Sequence, residues 1–208
     1  MASGPDHFDR DEGEIEFSRT LAFSDGVFAF AITLLVTTID VPDLDGPVSS
    51  ARLWEHVTDL RPFVLSYFLS FLIVGLFWLR HHRLFSRIRR LDGTALWLNI
   101  LLLSTIALMP FSTEMIGRYG ELASGVVVYA ANLSAAGLAF TWLWWHCACR
   151  DMLGEELTDD QRRRELLVRL SIPVGFLLSI PIVFVSITAA QVLWVLTIAG
   201  QRLAMRTL

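Results

Sequence analysis

Apolar stretches recur along nearly the whole chain, at residues 21–39, 63–79, 95–111, 122–145, 166–187 and 190–204, and short charged segments separate most of them. Each is close to the roughly 20 residues that carry a helix across a ~30 Å hydrocarbon core. The pattern therefore predicts an all-α, polytopic membrane protein with six transmembrane helices. The last boundary rests on residues 188–191 alone, and Pro173 and Pro181 interrupt the fifth stretch, so one kinked helix would give the same pattern there.

Composition agrees with that reading. Of 208 residues 54% are hydrophobic and 18% charged, and a mean hydropathy of +0.53 is too apolar for a soluble domain of this length. Every basic residue other than histidine is an arginine, so orientation follows from arginine placement. Arg80, Arg83, Arg87, Arg89 and Arg90 follow span two, and Arg150, Arg162, Arg163, Arg164 and Arg169 follow span four. The connection from span one to span two has only Arg52 and Arg61 among five acidic residues, that from three to four has Arg118, and that from five to six has none. The arginine-rich side is expected to be cytoplasmic, with both termini on it. Residues 1–18 are an acidic leader without a basic n-region, expected as a solvated cytoplasmic tail and not a secretory signal, with residues 19–208 as the membrane domain. Topology accounts for the arginine clusters, so no nucleic-acid partner is implied. Cys147 and Cys149 stand too close together, on the reducing side, for a structural disulfide.

The first span is the unusual one. Arg19, Ser24 and Asp25 place a cation, a hydroxyl and a carboxylate at its mouth, where an ionisable group costs several kcal/mol unless paired or hydrated. Further in, Gly26, Phe30, Thr33 and Thr37 recur at intervals of three and four and share one helical face. Such a strip suits the lining of a narrow path better than contact with lipid tails. One helix encloses nothing, and symmetric copies around an axis are the simplest way to complete a path.

Arg19, Phe23, Ser24 and Asp25 form an R-x-x-x-F-S-D motif followed by Gly-Val-Phe-Ala. It resembles the first-helix signature of the transmembrane protein 175 family of potassium channels, bacterial branch. Trp78, His81, His82 and Phe85 look like that family's W-x-x-H-H-x-x-F segment, and Asn99 with Pro110, Phe111 and Thr113 is similar to its N…P-F-x-T pattern. The resemblance covers roughly residues 19–119. It implies a homotetramer in the bacterial inner membrane, six helices per subunit, with the first helix of each lining a potassium-selective pore.

Carried over position by position, the resemblance puts the constriction at Phe30, where the family usually has isoleucine or leucine. It puts hydroxyl rings at Thr33 and Thr37, with Gly26 and Leu34 as further lining positions. Arg19, Phe23, Ser24 and Asp25 are expected to join Trp78, His81 and Asn99 in a buried network that sets how the first helix leans. A carbonyl selectivity loop is not expected, because residues 118–120 lack the Thr-Val-Gly that should precede Tyr-Gly. No enzyme activity, cofactor or fixed metal site is expected, only a path for potassium. The alternative is a cation- or proton-coupled secondary transporter using Asp25, against which stand the lack of a visible inverted repeat and the position of that residue near the interface.

Overall fold

Backbone polar groups inside hydrocarbon need partners within the protein, and this chain supplies them with helices. The structure, a computed structural model, describes residues 5–40 and 49–204; Asp43 and Asp45 of the first connection lie outside them. Among the described residues the helices are α1 (Pro5–Leu34), α2 (Ser50–Asp59), α3 (Arg61–Phe85), α4 (Gly93–Ala107), α5 (Met109–Tyr119), α6 (Ala123–Cys149), α7 (Asp159–Val183) and α8 (Ile187–Ala204), and a 3-10 turn, Leu35–Thr38, prolongs α1. Five spans are long and apolar enough to cross a membrane. The sixth apolar helix, within α8, is shorter.

Four features differ from the hydropathy reading. The helix of the first span starts at Pro5, so the acidic leader runs into it without a backbone break. The third span is two helices that meet at Leu108, because Pro110 has no amide for the helix ladder and its ring crowds the preceding turn. Asn132 of α6 stabilises this break by donating to the Thr105 carbonyl at 3.2 Å and to Ser112 Oγ at 3.1 Å. The first connection contains α2, whose Leu53, Trp54 and Val57 form one exposed apolar face, as in a helix lying in the membrane interface. Finally, the turn between α7 and α8 falls at Phe184–Ser186 and not at residues 188–191. Ser186 accepts the Ala189 amide there, while Phe184 and Val185 stay exposed.

The arrangement centres on α6, of whose span 61% is buried against 22–44% for the others. Its small residues allow close approach: a Cβ on Gly137 would lie 2.8 Å from Pro173 of α7. Tyr129 of α6 is fully buried and meets Ser70 of α3 at 3.0 Å, and Ser70 meets Thr113 of α5 at 2.7 Å. At the arginine-rich end, two connections are stitched together. The Arg89 amide donates to Met152 at 2.9 Å and the Gly154 amide to Arg87 at 2.7 Å. Asp92 caps α4 through the Ala95 amide at 2.7 Å and lies 3.0 Å from His146 Nε2 of α6. Burial opposes its ionisation, but the Ala95 amide, His146 and Arg150 outweigh it, and its pKa lies below the ordinary carboxylate value.

Gly137→Val is expected to push α7 off α6 and cost about 1–3 kcal/mol through overpacking. A lowered thermal midpoint of the detergent-solubilised protein, measured by size-exclusion survival after heating, is the check.

Candidate functional site

A helix turning 100° per residue divides its neighbours between faces, and in α1 this division is sharp. Ser24, Phe28, Ala31 and Leu35 are buried against α3 and α4, with Thr38 continuing that face into α5. Arg19, Phe23, Gly26, Phe30, Thr33 and Thr37 are exposed on the other side of the single chain, Phe30 at 65%.

On the inner side, two consecutive residues hold α1 to two different helices. Ser24 accepts from Asn99 Nδ2 of α4 at 2.9 Å, and Asp25 Oδ1 accepts from Trp78 Nε1 of α3 at 2.8 Å. Asn99 Oδ1 in turn faces His81 Nε2 of α3 at 2.9 Å. The directions follow from the inventory of donors. Asn99 uses its amide group on Ser24, so its oxygen accepts from His81, which carries its proton on Nε2. Ser24 passes its own proton to the Thr20 carbonyl at 2.8 Å. The result is a one-way chain from His81 through Asn99 and Ser24 to the α1 backbone, with all three side chains at most 2% exposed.

Aromatic rings fix the donor end. His81 is stacked on Phe85 with centroids 4.1 Å apart and meets Phe28 at 5.4 Å. Its Nδ1 is buried without a partner, as expected for the acceptor nitrogen of an Nε2–H tautomer packed among rings. His82 points elsewhere and stacks on Trp78 at 5.7 Å. The far end of the span is held separately: Arg118 of α5 lies 3.3 Å from Asp40 and 3.3 Å from Glu114.

Ser24, Asp25, Trp78, His81 and Asn99 are thus together, whereas Arg19 and Phe23 are not with them. Both sit on the exposed face, where they line a surface recess with Leu96 and Ile100. The reason is angular, since positions 19 and 23 share the face of 26 and 30, and position 24 faces the opposite way. Leu34 is only partly exposed, at the end of α1. Phe28 and Phe85 entered the sequence reading only as parts of motif strings, and Thr20 and the Asp40–Arg118 pair were not singled out. A lone arginine and a span-terminal aspartate on the arginine-poor side were the available signal for that pair.

The exposed face of α1 differs in chemistry from the apolar exposed faces of α3 and α7. On α3 the face consists of Leu65, Phe68, Leu69, Phe71 and Leu72, and on α7 of Leu167, Val174, Leu177 and Leu178, as lipid contact requires. On α1 it contains a glycine and two threonines. Thr33 donates to the Phe30 carbonyl at 2.9 Å and Thr37 to the Leu34 carbonyl at 2.7 Å. With their protons committed to the helix, both hydroxyl oxygens keep lone pairs for an outside group. Among the described residues no cluster of His, Cys, Asp and Glu could hold a metal ion.

A family model described as the endosomal/lysosomal potassium channel TMEM175 matches residues 19–110. A potassium channel of Streptomyces collinus is 38% identical over 176 residues, covering 82% of this chain and 84% of that protein. The crystal structure of a lysosomal potassium-selective channel TMEM175 homolog from Chamaesiphon minutus superposes with a TM-score of 0.76 at 30% identity, covering 91% of this chain and 98% of that one. The Gallus gallus endosomal/lysosomal proton channel TMEM175 is 36% identical over 108 residues, which are 50% of this chain and 22% of that protein.

Asn99→Leu leaves Ser24 and His81 without their buried partner and is expected to destabilise the protein by about 1–3 kcal/mol. Trp78→Phe removes one bond from the more accessible Asp25 and is expected to cost about 1 kcal/mol or less. Denaturant titration of the purified protein in mixed micelles should rank the two variants in that order.

Proposed function

The chain belongs to the TMEM175 family, and from that premise we propose that it is a potassium-selective channel whose pore is lined by α1 from four identical subunits. The observation that carries the reading is the exposed face of α1, on which Phe30, Thr33 and Thr37 stand in line with no partner helix among the described residues of the single chain. Fourfold repetition about an axis would bring those faces together and remove a hydroxyl-bearing surface from lipid.

Four Phe30 rings would form a constriction that water vacates, closed to ions until the helices lean or rotate. The Thr33 and Thr37 oxygens would replace part of an ion's hydration shell. Potassium is held less tightly by water than sodium, so partial replacement favours it, though rotatable hydroxyls form a looser cage than fixed carbonyls. The pore would need no re-entrant carbonyl loop. In support, Tyr119 ends α5 and Arg118 beside it is engaged by Asp40 and Glu114. Ser24, Asp25, Trp78, His81 and Asn99 would set the lean of α1 from behind. The protein would reside in the bacterial inner membrane with both termini cytoplasmic, residues 1–18 forming an acidic cytoplasmic tail before the domain of 19–208, and would conduct without a cofactor.

Potassium-driven fluorescence quenching in proteoliposomes tests the function, and rates no faster than a carrier's would remove the channel reading. Within it, Thr33→Val is expected to lower the potassium-to-sodium permeability ratio towards unity, read from reversal potentials in planar bilayers. Phe30→Ala is expected to raise resting conductance several-fold, and an unchanged leak would take Phe30 out of the constriction.

A further inference from the structure

At the arginine-rich end of the bundle, α3 and α7 both rest on α6 but leave a crevice between them. Two contacts set its width. The Gly137–Pro173 approach draws α7 onto α6, and the edge-on meeting of Phe77 with Phe140, centroids 6.5 Å apart, seats α3 on α6. The cavity between them has a volume of about 370 Å³ and is lined by Arg80 and Arg83 of α3, by Arg87 of the connection that follows it, and by Glu165 and Arg169 of α7.

Four guanidinium groups and one carboxylate line it, and Arg87 is also paired with Glu155, beyond the cavity wall, at 3.1 Å. Glu165 is occupied by Arg169 at 2.8 Å and lies 4.0 Å from Arg87. Arg169 also rests over the Trp144 ring, 4.4 Å from its centroid, which fixes its place in the wall. The Nε atoms of Arg87 and Arg169 are buried with no hydrogen-bond partner among the described residues. Buried donors of this kind normally find an acceptor, and an anionic group seated in the cavity would supply one.

A second cavity, of about 170 Å³, continues from the first along the bundle and shares Phe77, Arg80, Arg83 and Ile172 with it. Its remaining walls are apolar, from Ile73 and Leu76 of α3, Leu133 of α6, Phe176 of α7 and Ile198 of α8 among others. A basic mouth that opens into an apolar groove between membrane helices matches one class of molecule. We propose that this crevice binds an anionic phospholipid, with its phosphate among Arg80, Arg83 and Arg87 and an acyl chain lying along Ile73, Leu76 and Phe176. The phosphate supplies acceptors for the guanidinium donors, and the chain fills the groove with hydrocarbon. A free phosphate would satisfy the mouth only. The site lies away from the exposed face of α1, so its occupancy can be read without measuring ion flux.

Native mass spectrometry of the purified full-length protein, delipidated and titrated with dioleoyl phosphatidylglycerol or dioleoyl phosphatidylcholine, tests the inference. The phosphatidylglycerol is expected to be retained preferentially. The Arg80→Gln/Arg83→Gln variant is expected to weaken that retention by roughly fivefold for each arginine removed, with phosphatidylcholine unaffected. Arg83→Gln alone, at an exposed position, serves if the double variant does not purify. Leu76→Trp fills the groove, leaves every charge in place, and is expected to weaken phosphatidylglycerol retention as well. Arg118→Gln, at the opposite end, is expected to leave it unchanged. Equal retention of the two lipids, or unchanged phosphatidylglycerol retention in both the arginine and the Leu76 variants, would overturn the proposal. So would complete displacement of the lipid by millimolar inorganic phosphate, which would make the crevice a phosphate site.

Discussion

A helix that presents polar groups on one side has to be held from the other, and in α1 the holding is concentrated in two adjacent residues. Ser24 is bonded to α4 and Asp25 to α3. Two attachments 100° apart on a helical wheel fix rotation about the helix axis as well as position, which a single contact cannot do. With the rotation fixed, the places of Phe30, Thr33 and Thr37 follow from helical geometry alone. The hydrogen-bond chain behind Ser24 adds direction to this. Each member uses its proton towards the next, and the aromatic rings around His81 keep water from offering an alternative partner. Buried polar chains of this type are costly when incomplete and rigid when complete, and every link from His81 to the Thr20 carbonyl is made.

The rest of the bundle can be understood as support for this joint. His81 and Trp78 are on α3, Asn99 is on α4, and their relative placement depends on how those helices sit. The α3–α4 connection is tied to the α6–α7 connection through Arg87 and Arg89, and to α6 itself through Asp92. Tyr129, Ser70 and Thr113 link α6, α3 and α5 inside the bundle. The Leu108 break allows α4 to serve the Ser24 end of α1 while α5 serves the Asp40 end, two tasks that a straight helix would meet less easily.

Much of this was legible in the sequence, and unevenly so. Spans emerge from hydropathy because the bilayer imposes length and apolarity with few exceptions. Trp78, His81 and Asn99 were picked out by their resemblance to the family's motifs, whereas Ser24 and Asp25 could be singled out because polar side chains in an apolar helix are conspicuous. Arg19 and Phe23 belong to the same motif, yet they face the other way, since neighbours in a motif string are not neighbours on a helix. The Leu108 break was signalled by Pro110 but hidden by uninterrupted hydrophobicity. The turn at Phe184–Ser186 was missed for a related reason. A turn near the membrane surface can be apolar, so residues 188–191, whose Thr188 and Gln191 looked like the boundary, lie inside α8. For α2 the signal was an alternation of Leu53, Trp54 and Val57 with charged positions, too short to register as a span.

The continuity of α1 has a mechanical side. At 1.5 Å per residue its 30 residues make a rod of about 45 Å, and the joint at Ser24 and Asp25 divides it unequally. Pro5 lies about 29 Å from the joint and Phe30 about 8 Å on the other side. A tilt about that fulcrum carries the two ends in opposite directions, and the Phe30 ring travels roughly a third as far as the outer end. In such a tilt the long arm would act as a reducing lever, with a broad swing at the acidic end giving a fine displacement at Phe30.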